Sequence, residues 1–206
     1  MFEKLAPTDK EDLKLLEEVK RERGRLKLTE PVSCRQATED DLPAMLQIAG
    51  EASAWLKRQK VDQWQDGYPA ERHFRFDLER GELFAVCHGG EIAGFFVLST
   101  REESCYAEIT DGKWTAEVPY CVLHRCAVAK DYRGTGLADK LMQLVEQQAR
   151  EYGLRCVRTD THKKNKPMQR LLREHGYRYR GNICVAVGEG HDPARQAYEK
   201  LLKERK

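Results

Sequence analysis

The sequence has no C-x-x-C pair, no excess of one charge sign, and no apolar run near the ~20 residues that a membrane-crossing helix needs. Each gap excludes a class. The longest strongly apolar run is Ile92 to Leu98, so neither a membrane span nor a membrane partner is expected. Lys+Arg number 36 against Asp+Glu 34, a net +2, which excludes a strongly basic nucleic-acid coat protein. The seven cysteines (34, 87, 105, 121, 126, 156 and 184) are odd in number and mostly sit in apolar stretches. That usage points to reduced thiols, with neither a disulfide framework nor a metal site expected. The opening residues MFEKLAPTDK carry no apolar segment of the secretory kind, so a cytoplasmic location is expected. What is present is 206 residues, 40% hydrophobic and 34% charged, a globular composition sized for one domain with an appendage.

Residues 1–30 form the appendage. Sixteen of the thirty are charged, eight of each sign, and a helix from about Thr8 to Arg25 with a thin apolar stripe is expected. The domain proper, 31–206, alternates strands and helices. Val32–Ala37 reads as a strand, and Thr38 with Asp41 three residues on marks the start of a helix from about Asp40 to Arg58. A loop, QWQDGYP, leads to a short helix near Ala70–Arg80. Leu83–Cys87 and Ile92–Thr100 read as a hairpin turning at His88-Gly89-Gly90. The segment CYAEITDGKWTAEV, with Asp111-Gly112, reads as an inserted second hairpin. Strands over Val118–Val128, Arg155–Thr161 and Arg178–Val187 follow, with helices over Gly136–Tyr152, Lys166–His175 and Asp192–Lys203. The fold class is α/β in the mixed sense: a mostly antiparallel central sheet, a late β-α-β crossover, and helices on both faces.

One stretch carries chemistry. The strand ending at Val128 is followed by a polar turn, and Arg133-Gly134-Thr135-Gly136-Leu137-Ala138 then opens a helix. The first N–H groups of a helix lack internal partners and carry partial positive charge; glycines beside them let an anion approach, and Arg133 adds a cation. An ATP-binding P-loop and a dinucleotide fingerprint would each need glycine where Asp139 stands. R-G-x-G-x-A behind a buried strand resembles instead the acetyl-CoA loop of the GNAT superfamily of N-acetyltransferases, and the strand and helix order of residues 32–187 is similar to that family throughout.

The resemblance implies an acetyl-CoA-dependent N-acetyltransferase without a metal, moving acetyl to a primary amine of a small molecule or protein N-terminus by direct attack. It implies that the backbone of Cys126, Ala127 and Val128 holds pantetheine and that Arg133 through Ala138 hold pyrophosphate, with Asn165 at the family's Asn position. Seven residues on, where the family has the tyrosine that protonates the leaving thiolate, stands Leu172. Tyr177 and Tyr179 are the replacements in reach of sequence, and an acyl-CoA-binding or regulatory module with weak turnover is the alternative reading.

An ammonium acceptor has a pKa around 10 and must lose a proton before attack. In ribosomal-protein alanine acetyltransferases an acidic residue stands five before the Asn, which here is Asp160. Strand alternation puts Arg158, Asp160 and His162 on one face, and Val122, His124 and Cys126 on one face of the preceding strand. Asp160, His124 and His162 are thus the catalytic candidates, Asp160 first as a direct or water-relayed base. Its alternative is a pairing with Arg158 or Arg125, and His124 reads equally as a core histidine. Trp64 and Tyr68 are candidates to wall the acceptor or to pin their loop, Asp66 to attract a cationic amine, and Glu108 in the insertion is a more distant acid. The basic run Lys163, Lys164, Lys166, Arg170 and Arg173 suits CoA phosphates or a solvated helix face. A homodimer is an expectation with no residue-level support.

Overall fold

The computed structural model describes residues 28–115 and 118–203, so the expected helix from Thr8 to Arg25 lies outside the described residues. A seven-stranded sheet organises the chain in the order β1-β2-β3-β4-β5-β7-β6. Its strands are β1 (Val32–Gln36), β2 (Leu83–His88), β3 (Glu91–Ser99), β4 (Cys121–Val128), β5 (Cys156–Thr161), β6 (Arg178–Cys184) and β7 (Ala194–Leu201). Every neighbouring pair is antiparallel except β4 and β5, which run parallel and are joined through a helix. This is the mixed sheet with a late crossover that the sequence implies. The β2–β3 turn closes at Gly89 (φ 59°) and Gly90 (φ 87°), the left-handed pair a two-residue hairpin turn requires.

Helices cover both faces. On one lie α1 (Leu42–Arg58) and α2 (Glu71–Glu79), burying Met45, Ile48, Ala49 and Phe74 against Leu83, Ala85, Phe95 and Val97. Asp41 accepts the Thr38 N–H at 2.7 Å just ahead of α1, as their spacing predicts. A one-turn α3 (Ser104–Ala107) extends the same face, packing Tyr106 with Val122 of β4, Ala197 of β7 and Ile183 of β6. On the other face α4 (Leu137–Glu151) and α5 (Lys166–Glu174) bury Leu137, Leu141, Met142, Val145 and Leu172 against Phe96, Leu98, Leu123 and Val157.

Two elements differ from expectation. The C-terminal helix expected over Asp192–Lys203 is strand β7, inserted between β5 and β6. Its Ala, Gln, Glu, Lys and Leu content favours a helix locally, but pairing on both edges overrides that preference. The inserted hairpin is α3 and a loop, tied to β6 by the bridge Thr110↔Asn182 and by the Asn182 side chain, which donates to Asp111 Oδ2 at 2.9 Å. Gly112 and Gly181 permit that approach: a Cβ on Gly112 would sit 1.8 Å from the Arg180 carbonyl oxygen.

The Tyr177 ring is buried against α4 and β4, and among the described residues its hydroxyl has no hydrogen-bond partner. An unpaired buried hydroxyl costs stability without return. Tyr177→Phe should therefore raise the unfolding free energy by about 1 kcal/mol in urea titration.

Candidate active site

The site is built from the parting of two strands. The β4–β5 ladder runs through Cys121↔Val157, Val122↔Arg158 and Leu123↔Thr159 and then stops, while β4 continues to Val128 and β5 to Thr161. Beyond Leu123 the β5-facing edge of β4 has no strand partner among the described residues, leaving N–H and C=O groups for an extended, amide-bearing ligand. A bulge sits in the same stretch. Phe95 pairs with Ala127 and Val97 with His124, so Phe96 alone faces both Arg125 and Cys126, and Arg125 takes φ 34°.

The bulge corrects the alternation expected for β4. Val122 and His124 face α3, but Cys126 falls to the opposite face among the α4-side residues. Burial pushes the Cys126 thiol up to about 12, which leaves it a poor nucleophile. Arg125 donates from Nε and Nη2 to the Asp77 carboxylate at 3.0 and 2.6 Å, and from Nη1 to the Tyr68 hydroxyl at 2.7 Å. Asp77 is 1% exposed; burial raises its carboxyl pKa and Arg125 opposes that.

His124 and Asp160 occupy the rung at which the ladder would have continued, and α3 closes beneath them. The Tyr106 hydroxyl donates to Asp160 Oδ1 at 2.8 Å, and the Tyr106 ring meets the His124 ring edge-on with centroids 6.3 Å apart. His124 Nε2 lies 2.5 Å from Glu103 Oε1. Burial raises the Asp160 carboxyl pKa, with the Tyr106 hydroxyl, His124 and Arg195 opposing. Neither Arg158 nor Arg125 takes Asp160 as its partner: Arg158 pairs with Glu199, and its guanidinium lies over the Trp114 and Tyr120 rings.

Other expected residues lie elsewhere. His162 does not join the pair. It is 1% exposed, accepts the Lys164 N–H at Nδ1, stands 3.3 Å from Asp192, and loses basicity chiefly to burial. Glu108 is exposed just past α3; the acid of that segment that meets His124 is Glu103. Trp64 stacks on Phe95 at 6.4 Å and pins its loop to the core, while Tyr68, 37% exposed, holds Arg125. Asp66 is engaged by His191. Asn165 caps α5, accepting the Met168 N–H and donating to Gln63 Oε1 at 3.2 Å. Leu172 is fully buried in the α5 core. Tyr177 lies one residue before β6, and its ring is in the core on the α4 side of the sheet, the face opposite α3. Of the basic run, Lys163 pairs with Asp192 and Arg170 with Glu174.

The glycine loop fits an anion. Gly134 (φ 82°) and Gly136 (φ 89°) are left-handed, and the space a Cβ would take at each is open. The first backbone bond of α4 runs from Lys140 N–H to the Gly136 carbonyl at 3.2 Å, so the Ala138 and Asp139 N–H groups ahead of it have no backbone partner among the described residues. Thr135 Oγ1 donates to the Tyr132 carbonyl and accepts the Leu137 N–H, fixing the loop. The Arg133 guanidinium lies 5.9 Å over the Trp55 ring.

Residues 50–177 match the acetyltransferase (GNAT) family. The chain belongs to that family. A GNAT-family acetyltransferase from Streptococcus agalactiae superposes with a TM-score of 0.77 at 28% identity, covering 84% of this chain and 96% of its own. The ribosomal-protein-alanine N-acetyltransferase of Brucella melitensis (TM-score 0.59, 19% identity, 82% and 99% covered) shares the fold. So does the Salmonella typhimurium protein yncA, solved with its cofactor acetyl-CoA (TM-score 0.61, 17% identity, 85% and 96% covered). No curated protein matches. This GNAT enzyme is an acetyl-CoA-dependent acyltransferase. No helix among the described residues is long and apolar enough to cross a membrane.

Removing one partner of a buried ion pair strands the other charge. Asp77→Ala should cost the GNAT domain about 3–5 kcal/mol in chemical denaturation, through the uncompensated Arg125 cation.

Proposed function

We propose that this enzyme acetylates a primary amine, of a small molecule or a protein N-terminus, by direct attack of the amine on acetyl-CoA. One observation carries the reading: His124 and Asp160 stand on adjacent strands, both against Tyr106, at the point where β4 and β5 part. In this reading the freed β4 edge at Cys126, Ala127 and Val128 holds pantetheine by backbone hydrogen bonds, and the 133–138 loop takes the pyrophosphate. Asp160 accepts the proton of the incoming ammonium, directly or through one water. Its burial supports that role, because a carboxylate removed from water is a stronger base. Each turnover takes an ammonium and a thioester to an amide, a thiol and one free proton, so the N–C bond forms as the C–S bond breaks. Trp64 and Tyr68 border the acceptor side. The seven free thiols support a reducing, cytoplasmic setting.

The alternative, an acyl-CoA-binding module with little turnover, is favoured by one feature: Leu172 supplies no hydroxyl to the leaving thiolate. Asp160→Asn separates the readings. For the enzyme, kcat measured by product mass should fall ~10²-fold or more with acetyl-CoA affinity spared. Full activity in the variant would remove Asp160 from the mechanism. Gly134→Asp, which sets a negative charge in the loop, should abolish acetyl-CoA binding in calorimetry, and unchanged binding would contradict the pyrophosphate assignment.

A further inference from the structure

α3 is a single turn, yet it supplies the partners of both groups at the strand parting. Glu103 stands at its N-cap in extended backbone, and the Tyr106 N–H closes the turn on the Glu103 carbonyl at 2.9 Å. Three residues apart, the two side chains lie on one side of the turn. Glu103 therefore meets His124 while Tyr106 meets Asp160. The turn is itself braced: Trp114 Nε1 donates to the Tyr106 carbonyl at 2.8 Å, and the two rings stack with centroids 5.8 Å apart. Arg158 packs over the Trp114 ring at 4.2 Å.

A carboxylate only accepts hydrogen bonds, so the 2.5 Å contact places a proton on His124 Nε2. The lone pair of the neutral ring is then on Nδ1. The other ionisable groups facing His124 come from every element around it. Asp160 faces it from β5, Tyr106 from α3, and Asp77 from α2. Glu82, ahead of β2, adds a carboxylate that is held by Ser99 and Arg101. Asp77 is committed to Arg125, and Asp160 to Tyr106. Among the described residues, Glu103 is the carboxylate with a hydrogen bond to this imidazole.

We propose that Glu103 is a positioning residue of the acid–base pair, holding His124 in the Nε2–H tautomer with Nδ1 as its proton-accepting nitrogen. The proposal rests on the reading above of the β4–β5 parting as the catalytic site, and takes His124 as a second proton-handling group beside the base Asp160. An acid that orients a histidine in this way fixes both ring angle and tautomer. It also gives α3 a role beyond covering the sheet, since displacing this one turn would release both groups at once.

The test uses the full chain without ligand first. Ring-nitrogen NMR of His124, assigned by loss of its signals in His124→Gln, should show the Nε2–H tautomer in the native protein and a mixture in Glu103→Ala. Glu103→Gln keeps an accepting oxygen and should keep the tautomer. In steady-state assays Glu103→Ala should lower kcat roughly tenfold or more, with KM for acetyl-CoA within about twofold, and Glu103→Gln should recover part of the loss. Unchanged ring nitrogens in Glu103→Ala, or altered ring nitrogens with unchanged kcat, would overturn the proposal. Absence of any transfer by the native protein would overturn the reading of the reaction instead, and the ligand-free spectra would still decide the Glu103–His124 contact.

Discussion

Two parallel strands that pair over three rungs and then separate set the terms for the rest of this molecule. A buried strand edge without partners is costly, because each backbone N–H and C=O left unpaired forfeits a hydrogen bond. The fold tolerates the gap because β3 holds β4 on its other side and β7 holds β5, so each strand stays anchored along one edge. The bulge at Arg125 helps to turn β4 away, and the buried Asp77 carboxylate and the Tyr68 hydroxyl secure it. In energetic terms the open edge is sustained by an ion pair whose partners lie on α2 and β4, next to the groups that would use the opening.

The charges at the parting divide into those neutralised and those kept available. Arg125, Arg158 and Asp77 are locked into pairs beneath the surface. Asp160 accepts the Tyr106 hydroxyl of α3, and His124 donates to Glu103 at the N-cap of that turn. That division suits proton transfer, in which a group must be oriented yet keep a lone pair free. The glycine loop follows the same economy: its left-handed residues leave space where a ligand's negative charge would lie, ahead of amides with no backbone partner among the described residues, and Thr135 ties the turn together from behind.

Much of this was legible in the sequence, and the illegible parts have physical causes. The Arg133–Ala138 loop reads directly because its glycines and the helix behind it form a local pattern. Asp160 and His124 could be set on facing strands from alternation alone. Cys126 could not, because a bulge adds one residue to one strand and its signal lies in the pairing with β3. β7 was hidden for a related reason: Ala194–Leu201 is rich in helix formers, and only an interior place between β5 and β6 makes it a strand. His162 falls one residue past the end of β5, and Asp192 meets it there, a contact made across distant parts of the chain. Glu103 lies in the charged stretch ahead of the CYAEITDGKWTAEV segment, where no local pattern marks it; its partner His124 is supplied by a strand twenty-one residues on.

The central claim is that the opened β4 edge and the glycine loop together form the binding site of acetyl-CoA. Calorimetric titration of the purified protein with acetyl-CoA, with ATP and NAD as controls, addresses it without depending on the acceptor. The structure predicts saturable, one-to-one binding of acetyl-CoA and none of either control. A flat titration with acetyl-CoA, or equal heats from ATP, would contradict it.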